Sequence, residues 1–96
     1  MTIEWDEEAI KDLENALVWI SQNSYQNALM VETAILENIE KACQSPERFP
    51  KDKFRKSNDG NFRAFETHSF RITYMIEEET LVVLRIRHVK QNPELY

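Results

Sequence analysis

The stretch FRITYMIEEETLVVLRIRHVK, residues 70–90, sets Arg71 into one apolar run and Arg85, Arg87 and His88 into the next. A fourth cation, Arg63, stands in the run before them, NFRAFET. A guanidinium holds a carboxylate or phosphate through two parallel hydrogen bonds, and a histidine exchanges a proton near neutral pH. Arg63, Arg71, Arg85 and Arg87 are therefore candidates for binding an anionic partner. His88 is a candidate general acid if it faces these arginines. No metal-ligand spacing, phosphate loop or nucleophile elbow occurs, so neither a metal nor a cofactor is expected.

The elements that must position these residues follow from periodicity. Thr2 to Trp5 reads as a short strand, and Asp6 as a helix N-cap followed by Glu7 and Glu8 in the first turn. Ile10, Leu13, Leu17 and Ile20 form one apolar stripe of an amphipathic helix ending near Asn23. Ser24 caps a second helix, roughly 25–44, with its stripe at Ala28, Val31, Ile35, Ile39 and Ala42 and a stop at Ser45-Pro46. A turn this short makes the two helices an antiparallel hairpin. Residues 46–60, PERFPKDKFRKSNDG, read as a basic loop. Strands are expected over 61–67, 70–76 and 81–88. The order is β-α-α-β-β-β, an α+β fold in one domain spanning 1–96, with an antiparallel sheet covered on one face by the helical hairpin.

Strand alternation then assigns faces. Phe70, Ile72, Tyr74 and Ile76 share one face, and Val82, Leu84, Ile86 and His88 share another; these sets are expected under the helices. Arg71, Thr73 and Met75 fall on the open face, with Leu81, Val83, Arg85 and Arg87. Arg71 then lies across from Arg85 or Arg87. Like charges directly opposite cost up to about 1 kcal/mol. Either acidic neighbours such as Glu66 neutralise them or the arginines await an anion. In the second case Arg71→Ala or Arg85→Ala would leave the isolated domain as stable as before. His88, at the end of the core face, reads as a structural histidine unless a strand end or bulge turns it toward the arginines.

Composition narrows the class. Hydrophobic residues make up 42% and charged residues 30%, a soluble globular balance. The longest apolar stretch, Ala16 to Ile20, is far short of a membrane span, no signal peptide is evident, and Cys43 has no partner for a disulfide. A cytoplasmic protein with no membrane partner is expected. The net charge of −5 argues against nonspecific nucleic-acid binding, but it is unevenly spread. Residues 1–47 carry ten carboxylates against two lysines, a balance of −8, and residues 48–96 carry ten cations against seven carboxylates, +3. One side of the molecule is suited to face anions. Leu29, Leu36 and Trp19, lying off the main stripes, suggest a groove for an extended or helical protein segment.

The element order, the FRITYMI strand, the LVVLRIRH strand running into NPELY, and above all NFRAFETHSFRITY resemble the RelE/ParE toxins of bacterial toxin–antitoxin pairs, in particular their plasmid-stabilisation members. The resemblance covers essentially the whole chain. It implies a toxin neutralised by a cognate antitoxin in a hetero-oligomer. It also implies one of two targets: DNA gyrase for ParE-like members, or mRNA cut in the ribosome for RelE-like ones. Arg71 matches the arginine that RelE-like members place beside the scissile phosphate, and Tyr96 stands where some have a C-terminal tyrosine. Arg85, Arg87 and His88 fall near the region supplying a further Arg or His. Where RelE-like nucleases carry lysines, this chain has Phe62, Arg63, Ala64 and Phe65. The long helical hairpin and the acidic net charge favour the ParE-like branch, with mRNA cleavage or an inactive antitoxin-binding relative as alternatives.

Overall fold

The computed structural model describes residues 1–90. The elements are β1 (Thr2–Trp5), α1 (Glu7–Ser21), α2 (Tyr25–Gln44), β2 (Phe62–Thr67), β3 (Phe70–Glu77) and β4 (Thr80–His88). The caps act as expected: the Asp6 carboxylate accepts from the Glu8 N–H at 2.9 Å and the Ser24 hydroxyl from the Asn27 N–H at 3.1 Å. Each satisfies a backbone donor that the helix itself leaves unpaired.

The sheet order is β1-β4-β3-β2. β2, β3 and β4 form the expected antiparallel meander, but β1 joins β4 in parallel, so the sheet is mixed. The physical reason is connectivity: the helical hairpin and the 45–61 segment carry the chain from β1 across to the far edge, and the meander then returns. The core gathers Ala9, Val31, Ile35, Ile39, Ala42, Phe65, Phe70, Ile72, Tyr74, Leu81, Val83 and Ile86. On α1 the buried stripe is rotated from the expected one. Ala9 is fully buried while Ile10 is exposed, because the small residue allows the helix to approach β4 closely.

β4 departs from strict alternation. Tyr74 pairs with Val83 and Thr73 with Arg85, so Leu84 is an extra residue in a bulge. The bulge inverts the parity of the first half of the strand. Leu81 and Val83 are buried under the helices, whereas Val82 and Leu84, expected there, are half-exposed on the other side. Ile86 and His88 lie beyond the bulge and keep their expected face, paired with Ile72 and Phe70.

The loop 45–61 is a braced segment that wraps the β2 edge. It begins on the helix side, where Phe49 packs on Phe65 with ring centroids 4.8 Å apart and the Tyr74 hydroxyl donates to the Pro46 carbonyl at 3.1 Å. It then runs along β2, with Ala64 N–H donating to Pro50 and Asp52 N–H to Phe62. Finally it crosses onto the face away from the helices, where the Arg55 guanidinium stacks on Phe62 at 3.8 Å. Asn58 binds both ends of the crossing, donating to the Asp52 and Phe62 carbonyls. The chain's one glycine, Gly60, takes φ +110°, a backbone region that side chains rarely adopt, and so lets the segment enter β2.

Candidate functional site

The fold separates Arg63 from the other arginines selected from the sequence and gives Arg71, Arg85 and Arg87 different surroundings. Arg71 and Arg87 are direct cross-strand partners on the open face. Arg71, however, is enclosed. Its Nη2 donates to Asp52 Oδ1 at 2.8 Å and its Nη1 to Glu66 Oε2 at 3.1 Å, while the guanidinium lies 4.9 Å from the Phe54 ring centre. The Asp52 side chain is fully buried and that of Arg71 is 17% exposed, whereas Glu66 is half in solvent. Glu66 lies directly across from Arg71 on β2. The expected neutralisation by Glu66 is therefore present. The more deeply buried carboxylate comes from the basic loop, and no strand pattern points to it. Its only sequence signal is a lone Asp between Lys51 and Lys53.

Arg63 belongs to the other face. It pairs with Tyr74 on the helix side, where its Nη1 donates to the Phe49 carbonyl at 2.7 Å and its Nε to the Gly60 carbonyl at 3.0 Å. It is a brace for the loop. Burial pushes the neighbouring Tyr74 phenol up from 10.0 to about 12, and the Arg63 charge opposes that rise.

Arg85 follows the bulge. Its Nε and Nη2 donate to the two oxygens of Asp12 on α1, at 2.8 and 3.2 Å, and Asp12 Oδ2 also accepts from the Ile86 N–H at 2.9 Å. β1 pairs with β4 only as far as Val83, so the Ile86 N–H has no strand partner on that side, and a helix carboxylate takes the place of one. The bond to Asp12 raises the Arg85 pKa further, against a smaller opposing effect of burial. Asp12, like Asp52, was not singled out from the sequence. It reads there as a solvated residue beside an apolar stripe.

Arg87 makes no ion pair among the described residues. His88 lies on the helix side, its ring edge-on to Phe70 at 5.4 Å, and its Nδ1 accepts from the Lys90 N–H at 3.1 Å. It does not share a face with Arg71 and Arg87. Tyr96 lies outside the described residues. Among those residues no cluster could hold a metal ion.

A cleft of about 660 Å³ opens between the outer flank of α1 (Asp12, Asn15, Trp19) and the end of β4 (Arg85, Arg87, His88). Above it the hairpin exposes large apolar side chains, including Val18 at 60%, Trp19 at 61% and Tyr25 at 69%. Leu29 and Leu36 are also exposed. No helix is long and apolar enough to cross a membrane among the described residues.

Known proteins share this architecture. A toxin of the chromosomal ParDE toxin–antitoxin system of P. aeruginosa superposes with a TM-score of 0.69 at 20% identity, over 92% of this chain and 95% of that one. YoeB from Staphylococcus aureus, solved as a dimer, matches at 0.60 and 15% identity, over 92% and 95%. The RelBE2 toxin–antitoxin complex of Mycobacterium tuberculosis matches at 0.54 and 16% identity, over 91% and 95%. At these identities the likeness is one of fold. No curated protein matches the sequence significantly. The family model for the ParE toxin of the type II toxin–antitoxin system parDE matches residues 3–93. The chain thus belongs to the ParE toxin family, and its α+β fold is that of the ParE and RelE toxins.

Proposed function

We propose that this toxin acts by binding its target, DNA gyrase, rather than by cutting RNA, and that a cognate antitoxin neutralises it by covering the apolar surface of the helical hairpin. The observation that carries the reading is the enclosure of Arg71 by Asp52 and Glu66. The arginine that would support a scissile phosphate is already neutralised by two carboxylates, one of them buried. Arg85 is held by Asp12 and His88 lies on the opposite face of the sheet from Arg71, so that of the candidate set among the described residues Arg87 is the one standing across from it. In-line cleavage needs its base, acid and cation within hydrogen-bond reach of one phosphate, and His88 stands on the other side of the sheet from Arg71.

The antitoxin reading rests on Val18, Trp19, Tyr25, Leu29 and Leu36, which are all solvent-exposed and invite coverage by a protein segment. The solved ParDE and RelBE2 relatives are described as toxin–antitoxin systems, in keeping with such a partner.

Induced expression in cells tests the proposal, with plasmid topology read on chloroquine gels and mRNA ends read by primer extension. Loss of negative supercoiling with intact transcripts is the expected result. Codon-phased cuts in ribosome-bound mRNA with unchanged topology would overturn it in favour of the RelE-like activity.

A further inference from the structure

The segment from Arg48 to Lys56 carries five cations and one carboxylate, and that carboxylate, Asp52, is buried against Arg71. Arg48, Lys51, Lys53 and Lys56 are exposed, and none forms an ion pair among the described residues. Loops of this composition are usually mobile, and their charges are then spread over many conformations. Here the backbone is fixed at several points: Arg63 on the Phe49 and Gly60 carbonyls, Asn58 on the Asp52 and Phe62 carbonyls, and two hydrogen bonds along the β2 edge. A fixed backbone holds the cations as a preformed ridge, which lowers the ordering cost of binding a polyanion. Nine residues span at most roughly 30 Å, so the four side chains follow one short path over the β2 edge.

We infer that this ridge is a binding site for the sugar–phosphate backbone of nucleic acid, distinct from the arginines of the sheet. Two observations favour a backbone reader. The Phe54 ring lies beside both Lys53, at 5.2 Å, and the Arg71 guanidinium, and the Phe62 ring lies under Arg55 at 3.8 Å. Each of these rings already has a cation against it, which disfavours its use as a platform for an unstacked base. Without stacking, recognition falls to phosphate contacts, which carry no sequence information. The overall charge of −5 does not forbid this, because the carboxylates concentrate in residues 1–47. The helices and the crossing part of the ridge lie on opposite sides of the sheet, and a Debye length of about 8 Å at physiological ionic strength lets the two surfaces act separately.

The test is fluorescence anisotropy of the full chain with a labelled 20-base-pair DNA duplex, titrated over a range of salt concentrations. With four phosphates neutralised, log K should fall with log salt at a slope of about −3.6 and lose roughly 100-fold between 50 and 200 mM salt. A duplex of scrambled sequence should bind equally. The triple variant Lys51→Ala, Lys53→Ala, Lys56→Ala should flatten the slope to about −1. Lys11→Ala with Lys41→Ala on the hairpin should leave the slope unchanged. The substituted lysines are exposed, and unchanged thermal melting of the variants confirms that the fold is intact. No duplex binding at 50 mM salt, or an unchanged slope in the triple variant, would overturn the inference. Tighter binding of polyglutamate than of duplex would also overturn it, and would make the ridge a surface for acidic peptides. None of these outcomes depends on whether gyrase is the toxin's target.

Discussion

On the face of the sheet away from the helices, Arg71 and Arg87 stand opposite each other on adjacent strands, and their surroundings could hardly differ more. The β2–β3 half of that face is roofed by the 52–58 segment. Ala64 on this half is only 2% exposed, and Arg71 there neutralises a buried carboxylate. The β4 half has no roof, and Val82, Leu84 and Arg87 remain half-exposed. Asp52 and Glu66 also offset the repulsion that two facing arginines would otherwise suffer. Residue type and strand position are the same for the two arginines. What separates a structural cation from an available one is whether another segment places a carboxylate over it.

The largest expected effect tests the bulge that divides β4. Val83→Asp buries an uncompensated carboxylate in a fully enclosed position and should abolish the cooperative thermal transition. Leu84→Asp, one residue away but half-exposed, should fold and melt cooperatively. Equal damage from both would mean that the bulge is misplaced.

Next comes the arginine pair itself. Arg71→Ala breaks the ion pair to the fully buried Asp52 carboxylate and should cost about 3–5 kcal/mol in urea denaturation, as expected for breaking a buried pair from one side. This reverses the expectation, drawn from strand pattern alone, that removing Arg71 would relieve repulsion and leave stability unchanged. The double variant Arg71→Ala, Asp52→Ala should recover part of the loss, since the buried carboxylate is then removed as well. Arg87→Ala should change stability by less than about 0.5 kcal/mol. A toxicity assay on Arg87→Ala then reports on function without a folding defect.

A smaller effect probes how the roof is anchored. The Tyr74 hydroxyl holds the start of the loop through Pro46, and Tyr74→Phe should cost about 1 kcal/mol at neutral pH. The Tyr74 pKa is raised from 10.0 to about 12 in the folded chain. Between those values the folded state keeps the phenol proton and the unfolded state loses it. Stability contributed by this group is therefore complete below pH 10 and declines as pH rises toward 12. Melting temperatures of the wild type should fall more steeply than those of Tyr74→Phe across this window. Parallel curves would show that Tyr74 does not titrate with folding.

The helices, their caps and the strand order were legible because each depends on neighbours in sequence. Asp6 and Ser24 cap the helices they precede, Val31, Ile35 and Ile39 repeat at helical spacing, and Phe70, Ile72 and Tyr74 alternate at strand spacing. Family membership was legible for the same reason, since NFRAFETHSFRITY and LVVLRIRH preserve local order. The faces of β4 were legible only in part. A single bulge at Leu84 shifts parity, and nothing in LVVLRIRH marks which residue will be the extra one, because every residue from Leu81 to Leu84 is apolar.

The arginine environments lay beyond the reach of pattern altogether. Asp52 meets Arg71 from 19 residues away and Asp12 meets Arg85 from 73 residues away. Sequence by itself determined that this is a two-helix, four-strand domain of the ParE family with its carboxylates gathered in the first half and its cations in the second. Only the tertiary structure decided which cations are neutralised. Ion pairing is set by distances of a few ångströms between segments that periodicity treats independently, and chain connectivity brings those segments together only once the core has formed.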